Sequence, residues 1–208
     1  LSFFEKMELK MSLNIQKNLK AKNTWSIETT PNSAKNISRF TDHLAPKTSV
    51  NITFLPGSDP METVQVAERL NKEGMNPVPH LAARSLNDRF QLDELLEAFV
   101  SRASVDEVLV IAGGREPIGS FADSMAILET GLLQKHGIKK VGVAGHPEGS
   151  PDINDLALSE ALLDKNNFAI TEGLSMYIVT QFCFDADTVL KWERQIRIKG
   201  NKLPIRIG

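Results

Sequence analysis

Short runs of apolar, β-branched residues alternate along this chain with longer stretches that have helical periodicity. The runs predict seven strands, at 24–30, 49–56, 76–83, 106–113, 139–147, 175–184 and 203–208. The stretches between them predict six helices, at 33–45, 60–74, 88–103, 121–136, 153–171 and 185–199. Because a helix follows almost every strand without a long insertion, the strands should run parallel and be joined by helical crossovers.

Two architectures fit such an alternation: a doubly wound open sheet and a (β/α)8 barrel. The first predicted strand ends in ETTPNS and lacks the GxGxxG fingerprint of a dinucleotide-binding sheet. Polar residues instead follow strand after strand, as in a barrel, whose strand ends converge on one mouth. We therefore predict an α/β fold, a (β/α)8 TIM-type barrel that ends at its seventh strand. Such a chain is either a fragment of a barrel or a variant closed by another segment, for instance the N-terminal one.

Residues 1–22 stand apart from this pattern. Their apolar residues recur at helical intervals among lysines and glutamates, and the glutamates argue against a transit peptide. We interpret 1–22 as an amphipathic helix or extension and 23–208 as the barrel domain.

Composition and charge exclude several functional classes. The 208 residues are 41% apolar, enough for one buried core, and the net charge of −2 without a basic stripe argues against nucleic acid or an anionic membrane as a partner. No apolar run reaches the roughly 20 residues needed to cross a bilayer. The lone Cys183 cannot form an internal disulfide. We expect a cytoplasmic enzyme, and a homo-oligomer is compatible with the sequence.

The polar residues at the strand ends are the candidate site. Glu28, at the end of an otherwise apolar strand, is expected to be a buried carboxylate with a raised pKa that serves as general acid or as counter-charge to a cation. A salt bridge at the rim would explain Glu28 equally well. Thr53, His80 and Arg84 lie at the C-terminal ends of the next two strands. A lone histidine such as His80 is more often a core residue than a ligand.

Small residues at two strand ends would let a flat ligand approach the backbone. They are Gly113 and Gly114 after the fourth strand and Ala144 in the fifth. Arg115 would bind an anion beside the two glycines. His146 ends the fifth strand, and because the four histidines lack the spacing of a metal site, we predict no metal.

The sixth strand ends in Gln181, whose amide is costly to bury unless it is paired. The amide suits the edge of a pterin or a carboxamide, although a structural role tied to a nearby loop is an alternative. Because side chains alternate along a strand, only one of Gln181 and Phe182 should point into the barrel, and we predict Gln181. Phe182 and Phe184 would flank a ring.

Taken in order, five motifs resemble those of the methylenetetrahydrofolate reductase family, over about residues 24–208. They are ETTP, PHL, VAGHPEGSP, IVTQFCFD and LPIRIG. The resemblance implies a (β/α)8 barrel that reduces 5,10-methylenetetrahydrofolate to 5-methyltetrahydrofolate with a nicotinamide donor, a reaction of one-carbon metabolism that serves methionine biosynthesis. It assigns Glu28 and Gln181 to folate chemistry.

The sequence departs from the flavin-dependent members of that family. Those enzymes carry Arg-Gly-Asp after the fourth strand, whereas this chain has Gly113, Gly114 and Arg115. His146 replaces their usual tyrosine. The resemblance is therefore closest to the short actinobacterial-type branch, which passes hydride from NAD(P)H to the folate without flavin. A FAD-dependent reductase and a non-reducing folate-binding barrel that acts with a methyl-transfer partner are the alternatives.

Within this resemblance, Glu28 would deliver a proton near N10 of the folate and stabilise the 5-iminium cation that accepts hydride. Gln181 would orient the pterin or the nicotinamide amide. Both NADH and NADPH are compatible with the sequence, because no ribose-binding acid or arginine can be assigned without a Rossmann turn.

Overall fold

The structure is a computed structural model that describes residues 25–55 and 57–208. The predicted helix over 1–22 lies outside the described residues. None of the described helices is both long enough and apolar enough to cross a membrane.

Seven parallel strands form one curled sheet in which spatial order equals chain order. They are β1 (Ser26–Thr29), β2 (Ser49–Ile52), β3 (Asn76–Ala82), β4 (Glu107–Ile111), β5 (Lys140–Gly145), β6 (Ser175–Thr180) and β7 (Ile205–Arg206). Each strand pairs with its sequence neighbour, so β1 and β7 are the edges of the sheet among the described residues. The predicted TIM-type barrel that ends at the seventh strand is confirmed.

Seven α-helices accompany the strands in residues 25–55 and 57–208. They are α1 (Pro31–Lys35), α2 (Pro60–Lys72), α3 (Arg89–Ala103), α4 (Ser124–Leu128), α5 (Leu132–Lys135), α6 (Asp155–Glu172) and α7 (Ala186–Ile198). Three of the longer ones begin at a capping side chain, because Asp59, Asp88 and Asn154 accept hydrogen bonds from backbone N–H groups of the first turn.

Two predicted helices are broken. The segment 33–45 contains only the end of α1 and a 3₁₀ turn at Phe40–Asp42, since the guanidinium of Arg69 donates to the carbonyls of Ala34, Ile37 and Ser38 and so satisfies them outside a helix. The segment 121–136 divides into α4 and α5 at Gly131, which has φ +71°.

The hydrophobic core lies between the outer face of the sheet and the helices. Val50 and Ile52 of β2 and Val141 of β5 are fully buried there, against helical residues such as Leu70 and Leu96. Because side chains alternate along a strand, the intervening residues face the interior of the curled sheet.

Strand register fixes which residues share that interior face. Asn51 lies opposite Glu28 on one side and Val78 on the other. On the next strands, Leu109 lies opposite both His80 and Gly142.

Candidate active site

Three predicted site residues from three neighbouring strands meet on the interior face. The hydroxyl of Thr53, just after β2, donates to Oε1 of Glu28 on β1 across 2.6 Å. Glu28 also lies close enough to His80 on β3 for its charge to act on the imidazole. The sequence predicted each of these residues separately, and the parallel sheet brings them together.

His80 is the most unusual member of this group. Its residue is 7% exposed, and Nε2 is buried without a hydrogen-bond partner among the described residues. Burial lowers the pKa of His80 to about 4, against the opposing effect of the Glu28 charge. The imidazole is therefore neutral near pH 7, and its Nε2 lacks the hydrogen-bond partner that a buried nitrogen usually has.

Glu28 is exposed, and its predicted burial is wrong. The physical reason is its strand, because β1 is an edge of the sheet and no strand of residues 25–55 and 57–208 covers its far side. Trp25 and Ile27 at the same edge are 52% and 43% exposed. The sequence predicted that the Glu28 carboxylate would be shielded from water. That shielding therefore requires a bound ligand or another segment of protein.

The loop after β4 is fixed to the rest of the barrel by Arg84. Its guanidinium donates to the carbonyl of Ala122 at 2.8 Å and to that of Arg115 at 3.5 Å, and its backbone N–H donates to Ala112. Arg84 therefore supports this loop, and any contact between Arg84 and a ligand stays a prediction.

Within the same loop, Gly113 has φ +93°, a left-handed conformation that explains why glycine is present. A Cβ at Gly114 would meet no atom within 4 Å, so this backbone is open. The half-buried side chain of Arg115 makes no hydrogen bond or ion pair with any described residue. The loop therefore presents an open backbone and an available cation.

The two predicted site residues of β5 separate. Ala144 lies two residues after Gly142 on the interior side of β5, whereas His146 lines a cleft beside α6 and α7. Burial lowers the pKa of His146, and the nearby Lys165 lowers it further. The structure thus places His146 at this cleft.

Gln181 is exposed, which contradicts its predicted burial. Its Oε1 accepts from the N–H of Phe182 at 3.0 Å. Phe182 is 69% exposed and packs edge-on against Phe184, with 4.7 Å between ring centroids. The predicted alternation does not apply to this pair, because β6 ends at Thr180, one residue before Gln181.

The sequence interpretation missed a polar network lower in the barrel interior. The hydroxyl of Tyr177 donates to Oε1 of Glu107, and Nη1 of Arg206 donates to the same oxygen, each at 2.7 Å. The guanidinium carbon of Arg206 lies 3.8 Å from the centroid of the Tyr177 ring. Burial, reinforced by the Glu107 charge, raises the pKa of Tyr177. The sequence signal for this network was one polar residue at an inward-facing position in each of β4, β6 and β7.

No group of three histidine, cysteine or carboxylate side chains in residues 25–55 and 57–208 is arranged to hold a metal ion.

A parallel α/β half-barrel with an acid, a hydroxyl and an imidazole at its strand ends has the features of a TIM-barrel enzyme, whose site lies at the carboxyl ends of the strands. The sequence model of the methylenetetrahydrofolate reductase family matches residues 14–208. The chain belongs to this family of oxidoreductases, which reduces methylenetetrahydrofolate. Its members use a nicotinamide nucleotide as reductant, often together with FAD.

Proposed function

We propose that this protein passes hydride directly from NAD(P)H to 5,10-methylenetetrahydrofolate without flavin. The loop after β4 carries the proposal. The flavin-dependent members carry an aspartate there, whereas Arg115 is a cation without a described partner. That loop suits an anion, such as a phosphate of the hydride donor or the glutamate tail of the folate.

Glu28 is the catalytic acid in this proposal. Thr53 holds Oε1 at 2.6 Å, which leaves Oε2 free to face the substrate. A pterin bound over the strand ends would exclude water from Glu28 and so favour the protonated form. A proton then passes from Glu28 to N10 as the imidazolidine ring opens, and the resulting carboxylate stabilises the 5-iminium cation.

The other residues bind and orient. The nicotinamide supplies hydride when it is bound. His80 contributes a neutral imidazole beside Glu28, and Gln181 contacts the ligand from the loop after β6. Gly113, Gly114 and Ala144 leave room for flat rings, and Phe182 would cover one of them.

The first test is NADH oxidation by the purified full chain with methylenetetrahydrofolate and no added flavin, after its visible spectrum is recorded. We expect turnover from a colourless protein. Turnover only after FAD is added would contradict direct transfer, and folate binding without turnover under either condition would indicate a non-reducing folate-binding barrel.

Glu28→Gln tests the catalytic acid. We expect kcat to fall by about 10²-fold or more, the usual contribution of a positioned general acid, because the amide has no acidic proton to deliver. Steady-state kinetics measure the change, and Glu172→Gln, an exposed carboxylate at the end of α6, is the matched control. Unchanged turnover and folate affinity in Glu28→Gln would remove Glu28 from the mechanism.

A further inference from the structure

A cleft lies outside the barrel interior, where the loop after β5 meets α6 and α7. The cleft has a volume of about 540 Å³, within the range of small-molecule sites. The loop after β5, the first turns of α6 and one face of α7 bound it. His146, at the end of β5, lies where the cleft meets the strand ends.

Close packing forms the floor and the ends of this cleft. A Cβ on Gly145 would lie 2.5 Å from Ile178 and 3.0 Å from the ring of Trp192, so glycine allows the indole to lie against the backbone of β5. Nζ of Lys199 donates to the hydroxyl of Ser159 at 2.7 Å and closes one end.

At the other end, Oε1 of Glu148 accepts from the backbone N–H groups of Phe184 and Asp185, each at 3.3 Å. This contact joins the loop after β5 to the start of α7. The cleft is therefore held by contacts within the described chain and does not depend on the open edges of the sheet.

The lining has the chemistry of a nucleoside site. Trp192 offers an aromatic surface on which a base can stack. Gln195 carries an amide with both donor and acceptor and no side-chain partner in the described part of the chain, and such an amide can pair with an adenine edge. The carboxylates of Glu148 and Asp155 lie at the loop end, where acids recognise the hydroxyls of a ribose.

We propose that this cleft binds the adenosine half of the nicotinamide nucleotide, with the adenine on Trp192 and the ribose hydroxyls on Asp155 and Glu148. The inference rests on the proposed function, since that function supplies the dinucleotide. The nicotinamide half then extends past His146 toward the strand ends.

A buried cation lies next to that path. Lys165 is 8% exposed and donates no hydrogen bond to a residue of the described chain, although the carboxylates of Asp123 and Asp164 act on its charge. Its charge also acts on His146. Lys165 is therefore placed to meet the pyrophosphate between the two halves of the dinucleotide.

This placement predicts the choice of hydride donor. A 2′-phosphate on the ribose would lie beside two carboxylates and be repelled, so the protein should use NADH rather than NADPH. We expect kcat/KM to favour NADH by about tenfold or more, the ratio that 1.4 kcal/mol gives.

Two sets of variants test the site. Asp155→Arg should shift the kcat/KM preference toward NADPH, while Asp152→Arg, in the same loop but outside the cleft, should leave it unchanged. For a readout independent of turnover, Trp25→Phe leaves Trp192 as the only tryptophan. Its emission is titrated with ADP-ribose, with 2′-phospho-ADP-ribose and with adenosine.

We expect saturable quenching of Trp192 by ADP-ribose, and binding at least tenfold weaker with the 2′-phosphate. Lys165→Met should weaken ADP-ribose but not adenosine. Quenching by ADP-ribose in a protein without reductase activity would support the cleft and refute only the proposed reduction. Unchanged Trp192 emission at ADP-ribose concentrations that inhibit NADH turnover would overturn the inference. Unchanged emission at concentrations that equilibrium dialysis shows to be saturating would overturn it as well.

Discussion

At the scale of single residues, the position of a strand in the open sheet decides the state of the group that it carries. His80 and Glu28 are neighbours in space, yet β2 and β4 flank and bury His80, whereas Glu28 stands on the edge strand. The imidazole therefore loses its charge through desolvation, and the carboxylate remains in contact with water.

The first prediction concerns His80. Its folded-state pKa of about 4 lies below the unfolded value of 6.5, so below pH 6.5 the unfolded chain binds a proton that the folded chain does not. The stability that this neutral imidazole contributes is complete above pH 6.5 and is lost as the pH falls toward 4. Between pH 7 and pH 5 the wild-type free energy of unfolding should fall by about 2 kcal/mol more than that of His80→Gln.

Urea unfolding of both proteins at several pH values measures this difference. His43→Gln, which changes a histidine on an exposed turn, is the control and should follow the wild-type curve. Parallel curves for wild type and His80→Gln would show that His80 titrates normally in the folded protein.

At the scale of elements, two backbone hydrogen bonds hold the loop after β4 against the segment before α3. The N–H of Ile118 donates to the carbonyl of Arg84 at 3.1 Å, and that of Ser120 donates to Asn87 at 2.9 Å. Gly119, between them, approaches so closely that a Cβ would overlap the Asn87 carbonyl. This docking sets where Arg115 is presented.

Gly119→Ala should therefore displace the loop and destabilise the protein. Because the overlap is with backbone, we expect a loss of about 1–3 kcal/mol and a raised KM for the ligand that Arg115 binds. For stability, Gly114→Ala in the same loop is the matched control, since its Cβ would meet no atom within 4 Å. Equal unfolding free energies for the two variants would refute this account of the loop.

At the scale of the whole molecule, the network of Glu107, Tyr177 and Arg206 connects β4, β6 and β7 across the interior. Only two residues of β7 pair with β6, so this strand has few backbone contacts of its own. The side-chain network supplies a further attachment and holds the curvature of this half of the sheet.

Arg206→Leu should cost about 2 kcal/mol of unfolding free energy, because the mostly buried Glu107 then loses a charge partner that is itself partly exposed. The Glu107→Gln, Arg206→Gln double variant should lose less than the sum of its single variants. Lys140→Met, which removes a more exposed contact to Glu107 at 3.8 Å, should cost under about 0.5 kcal/mol. Additive losses measured by urea unfolding would show that Glu107 and Arg206 do not interact.

The sequence predicted the strands and the barrel class because both depend on local patterns. Apolar runs and helix caps are read within a few residues, and all seven strands were found in order. It failed where distant residues decided the outcome. Arg69 ends the helix predicted at 33–45, and the end of β6 at Thr180 leaves Gln181 in a loop.

The sequence by itself determined the alternation of strands and helices, the polar residues at the strand ends and the arginine where the family's flavin-dependent members have an acid. Tertiary structure alone decided that Glu28, Thr53 and His80 meet, that Glu28 is exposed and that His146 lines a separate cleft. The physical reason is that periodicity and the hydrogen bonds within a helix involve residues close together in the chain. Burial and proximity depend on which distant strands and helices pack together.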